Sequence, residues 1–142
     1  MSRLHLQYQV DGDDFFAAGE ASSDVKRVLK KLNFDSETVR RVAICMYEGE
    51  INMIIHADGG TADVCIEEGS VEIVLADTGP GIEDIERAMQ DGYSTATSEI
   101  RELGFGAGMG LPNIKRNSDS LDIVSQVGVG TTLTIRIERC QI

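Results

Sequence analysis

SETVRRVAICMYEGEINMIIHADGG, Ser36–Gly60, decides how the rest of the chain must be arranged. Val39, Ala43, Met46, Tyr47, Ile51, Ile54 and Ile55 recur mostly at spacings of three and four, the period of an apolar stripe on an α-helix. Ser36 opens the run, and Glu37 sets a negative charge where the helix dipole is positive. The spacing predicts a helix to about Ala57, after which Asp58–Gly60 ends it and turns the chain.

Upstream, Leu4–Val10 alternates like a strand. A second helix is predicted from a cap at Ser22 or Ser23 to about Leu32, with Val25, Val28, Leu29 and Leu32 as its buried stripe. Downstream, Thr61–Ile66 and Val71–Ala76 read as strands joined by the tight turn EEGS. A short helix is expected around Glu83–Met89, then a polar, glycine-rich stretch from Asp91 to about Gly108 that suggests a functional loop. A helix at Met109–Ser118 and strands at Leu121–Gln126 and Thr131–Glu138, turning on VGVG, complete the order. Consecutive strands with tight turns pair antiparallel, so the helices must cover one face of the sheet. The prediction is an α+β two-layer sandwich in a single domain spanning 1–142, with a mixed, mostly antiparallel sheet.

Composition narrows the function. The chain has 142 residues with a formal net charge of −11, which argues against direct nucleic-acid binding, since that depends on basic patches. No apolar run is long enough for a membrane span, and MSRLHLQYQV lacks the plan of a secretory signal, so a cytoplasmic location is expected. Cys45, Cys65 and Cys140 are scattered and show no metal-binding spacing; Cys45 and Cys65 read as small core residues.

Three groups of residues carry candidate chemistry. On the long helix, Glu48, Asn52 and His56 follow one another at spacings of four and share a face. A carboxylate there can act as a general base, and an amide oxygen can coordinate Mg2+; the same triplet alone also suits a solvated face. Glu50 points well away from Glu48 at about 100° per residue, so it receives no catalytic role. In DTGPGI, Asp77 stands at a strand end before Gly79 and Gly81. That is ordinary turn chemistry, and also a carboxylate placed to accept a hydrogen bond from an exocyclic amine. In GFGAGMGLPNIKRNSD, Gly104–Asp119, closely spaced glycines run into a helix, an arrangement that serves as a hinge or admits an anion to backbone amides. The GxxxxGK[ST] loop is absent and GxGxxG fails in both registers.

Taken in order, Glu48-xxx-Asn52, Asp77-x-Gly79-x-Gly81, Gly106-x-Gly108-x-Gly110-Leu111 and Gly130-Thr131 resemble the nucleotide boxes of the GHKL (Bergerat-fold) ATPases. The resemblance covers about Ser36 to Glu138. It implies the histidine-kinase-like ATPase fold with ATP or ADP as ligand and Mg2+ as its metal. Asn52 matches the Mg2+ ligand, Glu48 the base, Asp77 the adenine-binding aspartate and Gly81 the glycine beneath the base. Gly79 belongs to the same box. Gly106, Gly108, Met109, Gly110 and Leu111 match the second glycine box, and Thr131 the threonine that supports Asp77, often through water. Asp91–Leu103 would be the lid over ATP, ending by about Gly108.

Within that superfamily, DGYST at Asp91–Thr95 and the later GMGLPNIKRNSD resemble the small bacterial anti-sigma and switch serine kinases. The resemblance implies phosphorylation of a serine or threonine on a small STAS-domain antagonist, with a sigma factor or another regulator as further partner; the sequence leaves a homodimer open. Two alternatives stand beside it: a nucleotide-gated binding module with little transfer, and a stand-alone catalytic half of a histidine kinase. The segment SEIREL lengthens the lid relative to the shortest switch kinases and is expected to bear on partner choice or nucleotide exchange.

Overall fold

The computed structural model describes residues 3–11, 19–56, 59–79, 81, 89 and 110–140, without the side chains of 55 and 56. Strand β1 (Leu4–Asp11) leads to helices α1 (Glu20–Lys31) and α2 (Ser36–His56). Strands β2 (Gly59–Ile66) and β3 (Ser70–Asp77) follow, then helix α3 (Gly110–Arg116) and strands β4 (Ser120–Gln126) and β5 (Gly130–Glu138). The sheet order is β1-β2-β3-β5-β4, and its four pairings are all antiparallel. The described sheet is thus purely antiparallel rather than mixed, because each described strand pairs with its neighbour in the antiparallel sense.

The register explains why one face is covered. Leu6, Val64, Ile73, Ile135 and Leu121 are successive cross-strand partners, forming an apolar row across all five strands. The next row, Gln7, Asp63, Val74, Thr134 and Asp122, is mostly polar and lies on the other face, because side chains alternate along a strand. Val25 and Leu29 of α1, Val42 and Met46 of α2 and Ile114 of α3 complete the core over the apolar rows. Burying a side chain of this size is worth about 1.5–3 kcal/mol.

Local chemistry sets the helix ends. Asp35 caps α2: its carboxylate accepts from the Thr38 amide at 2.9 Å and from the Thr38 hydroxyl at 2.7 Å. At the end of α1, Asn33 adopts φ 61° while Phe34 N–H donates to Leu29 O and Asn33 N–H to Lys30 O, a Schellman closure. Leu32 falls at the C-cap, where helical period no longer applies, and is 44% exposed rather than buried.

The start of α1 differs from the sequence expectation. The helix begins at Glu20, and neither Ser22 nor Ser23 caps it. Glu50, from the middle of α2, supplies the cap: Gly19 N–H donates to Oε2 at 3.0 Å and Ser22 N–H to Oε1 at 2.7 Å. The Ser22 hydroxyl donates instead to Ala43 O at 2.9 Å. Cys45 is buried as expected, whereas Cys65 is half-exposed on β2. The expected helix at Glu83–Met89 and the lid, with SEIREL, fall outside the described residues apart from Met89, which is partly buried against the core.

Candidate functional site

Four segments converge at one end of the sandwich. The second half of α2 crosses the end of β3, since a Cβ at Gly49 would run into Leu75. One at Gly60, the register partner of Asp77, would meet Met53 Sδ at 2.8 Å. The start of α3 approaches α2 at Gly110, where a Cβ would lie 3.1 Å from Asn52 Oδ1 and 3.2 Å from Nδ2. Any larger residue there would push on the amide. The β4–β5 turn closes the far side: Gly81 stands against the backbone of Gln126 and Val127, and Gly130, with φ 149°, against that of Asp77. A side chain at Gly130 would be both strained and obstructed.

Asp77 is held within this end by backbone donors. Gly79 N–H donates to Oδ1 at 2.9 Å and Thr131 N–H to the same oxygen at 3.2 Å. Thr131 therefore supports Asp77 directly through its backbone, while its hydroxyl shares a 2.8 Å hydrogen bond with Ser125 Oγ. Among the described residues Oδ2 has no such partner, so the carboxylate is oriented with one acceptor to spare.

Glu48 and Asn52 lie half-buried on α2, one turn apart. Glu48 Oε2 accepts from Asn113 Nδ2 of α3 at 3.0 Å. The pairing of α2 with α3 continues along both helices. Cys45 Sγ lies 3.7 Å from Ile114 O, and burial pushes its thiol up to about 12. Arg41 donates through Nε to Asn117 O at 3.0 Å and through its terminal nitrogen to Asp119 Oδ2 at 3.1 Å. A groove of about 1350 Å3 runs over the outer face of α2 between α1 and α3, lined by Val39, Ala43 and Tyr47 and reaching Glu48 and Asn113.

The structure thus brings Glu48, Asn52 and Gly110 together along α2 and α3, and Asp77, Gly79, Gly81 and Thr131 together at the end of β3. Leu111 belongs to the core, so only its backbone remains for a ligand. Gly106, Gly108, Met109 and the His56 side chain lie outside the described residues. Sequence reading passed over Asn113, whose signal is its place one turn after Gly110 and three residues before Arg116. It also passed over Glu50 as a structural residue, and nothing local announces that role.

A family model described as the histidine kinase-like ATPase domain matches residues 17–137. The chain belongs to that family. The serine/threonine-protein kinase RsbT of Bacillus subtilis is 32% identical over 114 residues, covering 76% of this chain and 78% of that protein. The anti-sigma F factor of Caldanaerobacter subterraneus is 35% identical over 96 residues, covering 68% of this chain and 59% of that one. In fold, the chain superposes on the RsbU and RsbW domains of a Mycobacterium tuberculosis protein with TM-score 0.66 at 14% identity, covering 98% of this chain and 33% of that one. The α+β sandwich is therefore that of the histidine kinase-like ATPases, and its similar proteins include a serine/threonine-protein kinase and anti-sigma F factors. No described helix is long and apolar enough to cross a membrane.

Proposed function

We propose that this protein is an ATP-dependent serine/threonine kinase of the switch type, acting on a small STAS-domain antagonist with a sigma factor or similar regulator as the competing partner. The reading rests on family membership, on the names of the similar proteins, and above all on where Glu48 lies. Its carboxylate borders the open groove over α2 and also stands one turn from Asn52. A hydroxyl reaching Glu48 along the groove would meet a base beside the residue assigned to the metal.

The donor set suits a nucleotide. The spare oxygen of Asp77 would accept from the adenine amine, and Gly81 would lie beneath the base. Gly110, packed close against Asn52, together with Gly106 and Gly108, would present backbone amides to the phosphates. Mg2+ takes few protein ligands and keeps phosphate oxygens and water for the rest, so a single amide oxygen from Asn52 is sufficient. The metal would draw charge from the phosphates during transfer. Glu48 would orient the incoming hydroxyl and take its proton.

The test is transfer of labelled γ-phosphate from Mg-ATP to a STAS-domain protein captured by the chain. Acid-stable label on serine or threonine is expected, and Glu48→Ala should lower the transfer rate about 100-fold or more while ATP still binds. Undiminished transfer by that variant would overturn the base assignment. Capture that depends on ATP with no transfer would identify a nucleotide-gated binding module, and acid-labile label a histidine kinase.

A further inference from the structure

We propose that Asn113 is a positioning residue for Glu48, a role that rests on the reading of Glu48 as the base. Asn113 Nδ2 donates to Glu48 Oε2 at 3.0 Å, and Asn113 Oδ1 accepts from the Arg116 guanidinium at 2.9 Å. The second bond fixes which end of the amide faces the carboxylate, because only the oxygen can accept from a guanidinium and only the nitrogen can donate to Glu48. With Oε2 held, Oε1 is presented in one direction rather than swinging about the last torsion of the side chain. A bond from an amide to a carboxylate is charge-assisted, hence stronger than a neutral pair.

The helix that carries Asn113 is not free to move independently of α2. The Cys45–Ile114 and Arg41–Asn117 contacts fasten it at two further points, and its first residue abuts Asn52. One seven-residue helix therefore touches both the base and the residue assigned to the metal. Placing a catalytic group well is worth large factors in rate, and small misplacements are costly. Asn113 sets the direction of Glu48 relative to Asn52, while the phosphate contacts are made by other residues.

The experiment uses the whole chain with Mg-ATP as the only ligand and water as acceptor. Asn113→Ala should lower kcat for hydrolysis about tenfold and leave the KM for Mg-ATP within about twofold, the loss of roughly one charge-assisted bond. Asn113→Asp has almost the same size but no donor and a second negative charge, so it should fall below the alanine variant. A purely structural residue would favour the isostere. In a Glu48→Ala background, Asn113→Ala should cost nothing further.

A wild-type rate for Asn113→Ala, a faster one, an aspartate variant better than alanine, or losses that multiply in the double variant would each overturn the positioning role and leave the kinase reading standing. Unimpaired hydrolysis by Glu48→Ala would remove the base reading itself, and the inference with it. Urea unfolding of wild type, Asn113→Ala, Glu48→Ala and the double variant reads the contact without any turnover. Non-additive unfolding free energies sustain it and strictly additive ones overturn it.

Discussion

Glu50 and Asp77 each accept two backbone N–H groups, and they do so in opposite ways. Glu50, at the start of α1, gives one oxygen to Gly19 and the other to Ser22. Asp77, at the end of β3, gives Oδ1 to both Gly79 and Thr131. Glu50 is 2% exposed and has both oxygens engaged, so it acts as a staple between α2 and α1. Asp77 is half-exposed, and among the described residues its Oδ2 has no hydrogen-bond partner. The number of hydrogen bonds is the same for both; their distribution over the two oxygens is what leaves Asp77 able to serve the ligand proposed for it.

Exchanging each acid for its amide should split the two roles. Asp77→Asn keeps an acceptor for the two backbone donors but can turn an NH2 group toward the incoming amine. ATP affinity should fall by roughly 10–100-fold, the loss of a bond to a charged group, with stability changed by less than about 1 kcal/mol. Calorimetric titration and urea unfolding read the two quantities. Retained affinity would break the comparison at the nucleotide end. Glu50→Gln should do the reverse. One of its two positions becomes a donor facing a buried N–H, so about 1–3 kcal/mol of stability should be lost, with ATP affinity within about twofold of wild type. A large fall in affinity there would show that α1 and the nucleotide end are not separable.

The same contrast explains what could be read in the sequence. Asp77 was legible because its first partner, Gly79, is two residues away and the turn chemistry is local. Glu50 was not, since its partners lie 31 and 28 residues earlier in the chain, and only packing brings them to α2. Element order and strand alternation carried the sandwich, because each strand shows one apolar face. The stripe on α2 was less reliable. Val42 and Cys45 are fully buried although a single stripe omits Val42 and Cys45, and Tyr47 within the stripe is 41% exposed. Helix α2 packs on the sheet and on both α1 and α3, so its buried surface is wider than one stripe. Asn113 escaped for the reason that hid Glu50: its partner is 65 residues distant.

The smallest expected effect tests the staple through pH. Burial is the largest influence on Glu50 and raises its pKa, outweighing the backbone donors that favour the anion. A carboxyl whose folded pKa lies above its unfolded value of about 4.3 contributes its full stability below that value and loses part of it as pH rises through the folded pKa. The stability gap between wild type and Glu50→Gln should therefore be wider at about pH 5 than at about pH 8. Asp24 and Asp35 act oppositely, because hydrogen bonds from Arg27 and Thr38 lower their pKa values. Their contributions are present above the unfolded pKa and lost as pH falls through the folded one. Both residues are common to the two proteins, so their terms cancel in the gap even where they dominate the separate curves. Urea unfolding of the pair at the two pH values measures the difference. A gap that widens toward pH 8 would mean that the Gly19 and Ser22 amides outweigh burial, and that Glu50 caps α1 as a favourable anion.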